Sequence, residues 1–304
     1  MNQWRRLGRV GAGGALEVTS GMLPTPVVLD PVTIRVYLGV VDSNTVSRIH
    51  FVDVDAMDPT RVVRTCTESV LDVGEPGMFD DNGVSPGCAL VVGNELWLYY
   101  LGYQTGCKAR FSIFSGLAIS RDGGETFVRA QRVPVLDRTD QDMFFRSTPC
   151  VAVEGRRFRI WYAGGGRWLN AEGKLLAVSE IRHTESLNGR DWRRPEDTCV
   201  TLPVDGSGHA LVRPWVQRLA TGYELYYCIR STRGYRLGYG TSTDGLTFSP
   251  MPLPPGLEPV AGAWDEEMSY PALVTAANRT YLFYSGNKWG AAGFGVACLE
   301  QTES

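Results

Sequence analysis

The chain has 304 residues, 43% hydrophobic and 21% charged, with a formal net charge of -3. That balance supplies a sizeable core and excludes a disordered chain, and it offers neither a basic field for nucleic acid nor a polybasic membrane patch. No run of about 18 apolar residues occurs, which excludes a transmembrane helix. The amino-terminal MNQWRRLGRVGAGG lacks the apolar stretch of a secretion signal. The seven cysteines show no C-x-x-C spacing. Cys88, Cys150, Cys228 and Cys298 sit inside apolar runs, which predicts buried thiols and a cytoplasmic, reduced protein.

Abundant glycine, proline and aromatic residues predict many short strands joined by tight turns. In chain order, the glycines of LGRVGAGGAL (7–16) come first. No strand is expected ahead of them and no lysine follows at the required position, so they are not read as a phosphate loop. A repeat then begins. Five segments share a proline, a short apolar run, a polar turn and a run ending in an aromatic residue. They start at Pro26, Pro86, Pro149, Pro214 and Pro271, at intervals of 60, 63, 65 and 57 residues. The second runs end at Tyr37, Tyr100, Tyr162, Tyr227 and Tyr284. A third run follows in each unit. Three of these lead into Asp122-Gly123, Asn188-Gly189 and Asp244-Gly245, strong hairpin turns. Phe127, Trp192 and Phe248 after these turns are expected to open a fourth strand.

Four-stranded antiparallel meanders of this length cannot cover both faces alone, and radial packing solves the problem. The expected fold is therefore all-β, a five-bladed β-propeller in one domain over residues 1–304. Its blades start near residues 22, 80, 143, 208 and 265. The last unit stops soon after its third run, and Trp4-Arg5-Arg6 repeats Trp192-Arg193-Arg194. Residues 3–10 are expected to close the ring as the missing outer strand, removing an exposed sheet edge.

In a propeller the loops leading into the innermost strands gather at one mouth, although they lie about sixty residues apart in sequence. The first, Ser20 to Leu23, carries no acid. The second offers Asp80 and Asp81, the third Asp142 and Arg146, the fourth His209 and Arg213, and the fifth Asp265, Glu266, Glu267 and Tyr270. Convergence of such groups on one funnel makes a binding site. Each residue also has a plainer reading. Asp80 and Asp81 precede the turn sequence Asn82-Gly83, Glu266 and Glu267 suit a solvated loop, and Arg146 and Arg213 suit internal ion pairs. Tyr270 and Trp289 suit either a sugar face or packing between sheets. His50 and His183 lie in third runs and read as structural. There is no H-E-x-x-H, no His/Cys cluster and no G-x-S-x-G, so neither a protein-ligated metal nor a cofactor is expected.

The Y-x-G second runs and the S-x-D-G-x-x-F outer hairpins make the whole chain resemble the five-bladed propeller glycosidases. That superfamily includes arabinanase/xylosidase-like, invertase-like and mannoside phosphorylase-like enzymes. The resemblance implies a glycosidase-like enzyme that cleaves or transfers a glycosyl unit in the central funnel. Asp81 or Asp80 and Glu267 would be catalytic, with Arg146, His209, Arg213, Asp142, Asp265 and Tyr270 binding substrate. The hydrolases of the group take one carboxylate from each of the first three blades. This sequence lacks the first, since Asp30 and Asp42 fall in or after turns; Glu180 and Asp142 are the third-blade candidates. The phosphorylase-like members imply an alternative, a phosphate-dependent phosphorylase or sugar-conjugate transferase, with Arg146, Arg213, His209, Arg167 or Lys288 cradling phosphate. The missing acid motivates a third reading, a non-catalytic carbohydrate-binding or scaffold propeller. The expected partner is a carbohydrate or sugar conjugate, with phosphate as a second ligand, and neither nucleic acid nor membrane. Oligomeric state is left open.

Overall fold

The structure is a computed structural model that describes residues 3–13, 21–171, 173–192, 198–203 and 206–300. Ser20, residues 14–16 of the glycine-rich stretch, and Arg193 and Arg194 of the internal match to Trp4-Arg5-Arg6 lie outside the described residues. Regular structure is strand almost throughout, with one short helical turn at Asn287–Gly290. No helix among the described residues is long and apolar enough to cross a membrane.

The chain opens with β1 (Gln3–Arg9). The first unit is then β2 (Met22–Asp30), β3 (Thr33–Val41), β4 (Ser47–Asp55) and β5 (Val62–Thr65). The second is β6 (Val84–Val92), β7 (Glu95–Thr105), β8 (Phe111–Ser120) and β9 (Val128–Arg129). The third is β10 (Phe145–Glu154), β11 (Arg157–Ala171), β12 (Lys174–Ser186) and β13 (Thr198–Val200). The fourth is β14 (Ala210–Leu219), β15 (Gly222–Ser231), β16 (Gly234–Ser242) and β17 (Ser249–Met251). The last has β18 (Ser269–Ala276), β19 (Arg279–Ser285) and β20 (Phe294–Glu300).

Within each unit successive strands pair antiparallel, and β1 pairs antiparallel with β20, Gln3 opposite Glu300 and Arg9 opposite Gly295. Short parallel contacts of β8 with β10 and of β12 with β14 fuse the middle three units into one continuous sheet of twelve strands. The first strands are neighbours in cyclic order: β2 beside β6, β6 beside β10, β10 beside β14, β14 beside β18, and β18 back beside β2. Two details differ from the sequence reading. A strand, β1, does precede the glycine-rich stretch, although the lysine of a phosphate loop is still missing. The outer strands β9 and β17 begin one residue after the expected aromatics Phe127 and Phe248, which are buried, and residues 193–197, between Trp192 and β13, lie outside the described residues.

Sheets stay together through recurring latches. In the outer hairpins a serine hydroxyl accepts from a glycine N–H: Ser120 from Gly124, Ser186 from Gly189 and Ser242 from Gly245. The carbonyl of that glycine then accepts from an aromatic of the preceding unit. Tyr37 donates to Gly124 (3.0 Å), Tyr99 to Gly189 (2.6 Å) and Trp161 to Gly245 (2.7 Å). Tyr281 of the last unit donates to Ala56 of the first (2.9 Å). Buried thiols add inner stitches: Cys88 accepts from Val151 N–H, Cys150 from Val216 and Cys228 from Tyr270. All seven cysteines are free.

The first strands of four units share a bulge at their proline. The preceding residue is left-handed at Thr148 (φ 50°), Arg213 (φ 54°) and Tyr270 (φ 54°), and in the first unit at Leu23 (φ 58°), which precedes Pro24 and not the Pro26 of the sequence repeat. Such a conformation costs a non-glycine residue about 1–2 kcal/mol, so its recurrence shows that the surrounding packing dictates it.

Candidate functional site

The leading-loop aspartates form one repeated arrangement. Asp80 is fully buried and accepts from the Tyr100 hydroxyl (2.8 Å) and from Arg129 Nε (2.8 Å). Asp142, also fully buried, accepts from Tyr162 (3.0 Å) and pairs with Arg182 at 3.0 Å and Arg146 at 3.8 Å. Asp265 accepts from Tyr284 (2.8 Å) and pairs with Arg6 of β1 at 3.2 Å. Each aspartate lies 20, 20 or 19 residues ahead of its tyrosine. The Y-x-G signature follows from the same contact. A Cβ on Gly102 would fall 2.5 Å from Asp80 Cβ, and one on Gly164 would fall 2.7 Å from Asp142 Oδ1. Glycine there lets the loop seat its carboxylate against the strand. Burial raises the Asp142 pKa, even with Arg182, Tyr162 and Arg146 opposing it. Arg146 stacks over Tyr162 at 4.9 Å and donates to Asp137 O, so its buried guanidinium braces the same loop.

The two other catalytic candidates sit outside this arrangement. Asp81 is half-buried and its Oδ2 accepts from Gly77 N–H (2.8 Å), a turn contact mirrored by Glu266 and Gly262. Glu267 is half-buried between the fourth and last units. Its N–H donates to Asn287 Oδ1, its Oε2 accepts from Lys288 N–H at 3.4 Å, and its carboxylate lies against Gly234. Asp81 and Glu267 belong to different units, and no described hydrogen bond or ion pair links them. Glu180 lines a cavity of about 270 Å³ with Gln141, Arg167 and Arg182. Trp289 is exposed and stacks on no ring among the described residues.

The axis is held by Arg213. Its side chain is fully buried and crosses the ring, donating to Gly87 O of the second unit and to Pro24 O (3.0 Å) and Thr25 Oγ1 (2.9 Å) of the first. Its N–H donates to Thr148 Oγ1 of the third (3.0 Å). No described carboxylate pairs with it, and burial pushes its pKa down to about 10. Near it lie Tyr270, a candidate of the sequence reading, and Tyr103 and Tyr235, which that reading missed. Tyr235 contacts Tyr270, ring centroids 5.3 Å apart. Burial drives the Tyr103 phenol up to about 12. The signal for Tyr103 was present, one residue after Gly102 of a Y-x-G. His209 reaches the Ala177 carbonyl through Nδ1 (2.7 Å), so Nδ1 carries the proton. Burial, reinforced by Arg230, lowers its pKa and favours the neutral ring. Among the described residues no group of three or more His, Cys, Asp or Glu is placed to hold a metal ion.

The cyclic all-β arrangement is a fold shared with solved glycoside hydrolases. A thermostable family-43 glycoside hydrolase superposes with a TM-score of 0.71 at 12% identity, covering 98% of this chain and 94% of its own. An exo-1,5-alpha-L-arabinanase from a bovine ruminal metagenomic library gives a TM-score of 0.65 at 11% identity, covering 94% and 98%. At these identities the likeness is one of fold. In sequence, the chain is 32% identical over 302 residues to Uncharacterized protein Rv1502 of Mycobacterium tuberculosis, covering 98% of this chain and 99% of that protein. The chain belongs to the family of that mycobacterial protein. No protein-family model matches it.

Proposed function

We propose that this chain is a single five-bladed propeller over residues 1–304, each four-stranded unit being one blade, and that it recognises a saccharide at the mouth of its ring. The observation that carries this is the tyrosine floor of Tyr103, Tyr235 and Tyr270 near the Arg213 plug, in a fold shared with glycosidases. Phenols give a sugar both an apolar face and hydroxyl partners. As a glycosidase-like enzyme, the chain would assign acid/base work to Glu267 and Asp81, the candidates that retain exposed surface. Asp80, Asp142, Asp265 and Arg146 would shape the loops, with His209 orienting the fourth.

One specific observation favours the non-catalytic reading. Glycoside hydrolysis needs two carboxyl groups roughly 5 to 10 Å apart across a shared pocket, yet the three leading-loop aspartates are committed to tyrosine and arginine. The test is mass spectrometry of a glycoside and oligosaccharide panel incubated with the protein, with and without phosphate, beside Glu267→Gln and Asp81→Asn. Turnover abolished by either substitution supports the enzyme. Saccharide-induced thermal stabilisation without turnover supports the binding protein, and turnover untouched by both substitutions removes these residues from the mechanism.

A further inference from the structure

The fourth unit breaks the aspartate–tyrosine rule. Ser207 stands 20 residues ahead of Tyr227, where Asp80, Asp142 and Asp265 stand relative to their tyrosines. The Y-x-G glycine is missing too: Ile229 occupies its position, and a Cβ on Gly208 opposite would fall 2.5 Å from the Ile229 side chain. The glycine has moved from strand to loop, and the carboxylate has gone.

The fourth unit carries cations of its own, at positions other than those of Arg146 and Arg182 in the third: Leu211 stands where Arg146 does, and Gly238 faces Tyr227 where Arg182 faces Tyr162. The β15–β16 hairpin, Arg230 to Arg236, carries three arginines, and none of them pairs with a described carboxylate. Arg230 lies over the Tyr235 ring at 5.6 Å, and Arg236 Nη2 donates to Ser207 Oγ. In the other leading loops the cations are neutralised, Arg129 by Asp80, Arg146 and Arg182 by Asp142, and Arg6 by Asp265. A cavity of about 560 Å³ opens at this position, lined by Ser207, Ser231, Thr232, Arg233, Tyr235 and Arg236. Tyr235 joins it to the mouth through Tyr270. Of the nearby described carboxylates, Glu266 accepts from Gly262 N–H, and Glu267 accepts from Lys288 N–H through Oε2 while its Oε1 lies against Gly234 of the hairpin; Asp205 of the same loop lies outside the described residues.

We infer that this cavity takes the oxyanion of an acidic sugar, a carboxylate or a phosphate, which supplies from outside the negative charge that an aspartate provides in the second, third and fifth units. The inference rests on the saccharide-binding reading above and gives it a substrate class. Arg233 and Arg236 present planar donors suited to either oxyanion. Ser231 and Thr232 add hydroxyls, and Tyr235 supplies a ring face toward the axis.

The chain is titrated calorimetrically with D-glucuronate, D-glucose 6-phosphate, inorganic phosphate, neutral D-glucose and a panel of neutral oligosaccharides. At least one anionic sugar binds ten-fold or more tightly than glucose; glucuronate identifies the carboxylate and glucose 6-phosphate the phosphate. Arg236→Gln erases that preference. Ser207→Asp, which returns the carboxylate to the loop, erases it as well while the melting temperature holds. Arg218→Gln, the same loss of charge at the far end of β14, leaves it intact. Equal affinity for glucose and the anionic sugars, or a preference that survives Arg236→Gln, overturns the inference. Inorganic phosphate binding as tightly as glucose 6-phosphate overturns its sugar component. Neutral oligosaccharides that still bind without any anion preference refute this site alone. Absence of binding by every saccharide refutes the mouth as well.

Discussion

Replacing Arg213 by methionine separates the two opposing energies at the axis. Three side-chain hydrogen bonds run from its guanidinium to Gly87, Pro24 and Thr25. Hydrogen bonds from a charged donor contribute about 1.5–3 kcal/mol each, and their acceptors would be left buried and unpaired. Against them stands the cost of holding an unpaired cation away from water. The pKa falls from 12.5 to about 10 through burial, and at about 1.4 kcal/mol per pKa unit this is roughly 3 kcal/mol. The bonds win, and Arg213→Met is expected to lose about 2–4 kcal/mol. With an unfolding entropy of about 2.1 cal/mol/K per residue, the melting temperature falls by about 3–6 °C. Arg213→Lys should be worse than methionine, because it keeps the charge and loses the fork that reaches two units at once. Differential scanning calorimetry at pH 7.5 orders the three proteins. A methionine variant as stable as the parent, or a lysine variant more stable than methionine, would refute this account of the axis.

Deleting residues 3–10 removes the β1–β20 pairing and the buried Trp4 side chain, and should sharply lower the melting temperature. The milder Trp4→Ala is expected to cost about 3–5 kcal/mol, and an unchanged melting temperature in both would remove the strand from the fold's stability. His183 gives a pH signature. Burial, then the facing Arg159, pushes its pKa from 6.5 to about 4, so the unfolded chain binds the proton first. Its contribution is fully present above pH 6.5 and is lost as pH falls from 6.5 towards 4, about 2 kcal/mol between pH 7.5 and 5. His183→Gln should flatten that limb in guanidinium denaturation at the two pH values; an unchanged limb would contradict the assignment.

The repeat was legible because its physical causes recur at fixed positions. Proline marks the bulge into each first strand, and the Y-x-G glycine marks where a loop carboxylate must approach the second strand. The pairs Asp80/Tyr100, Asp142/Tyr162 and Asp265/Tyr284 were equally visible as spacing. Reading them together assigns those aspartates to the loops and shows that the first and fourth units lack one, Ser207 standing at the position in the fourth. Position along the chain also marked the loops as neighbours, but not which side chains face inward. Arg213 became a plug because a left-handed φ and a bulge swing it across the axis, which no periodicity encodes. Asp81 and Glu267 turned to local N–H donors for an equally local reason. The outer strands β9 and β17 start one residue beyond Phe127 and Phe248, because aromatics that suit a strand also suit the gap between sheets.

The pairing of Gln3 with Glu300 also sets how the ring would yield to force. Because β1 and β20 run antiparallel, their outer ends lie at the same end of the ladder. Tension applied to those ends loads the hydrogen bonds singly, peeling the strands apart like a zip and never shearing the whole ladder together. The β-bulge between Arg6 and Gly8 interrupts that ladder partway, a natural place for peeling to pause. Beyond it, Val10 still holds Phe294 and Gly11 holds Thr60 by backbone hydrogen bonds. The clasp of the ring is therefore also where tension on the ends of β1 and β20 acts first.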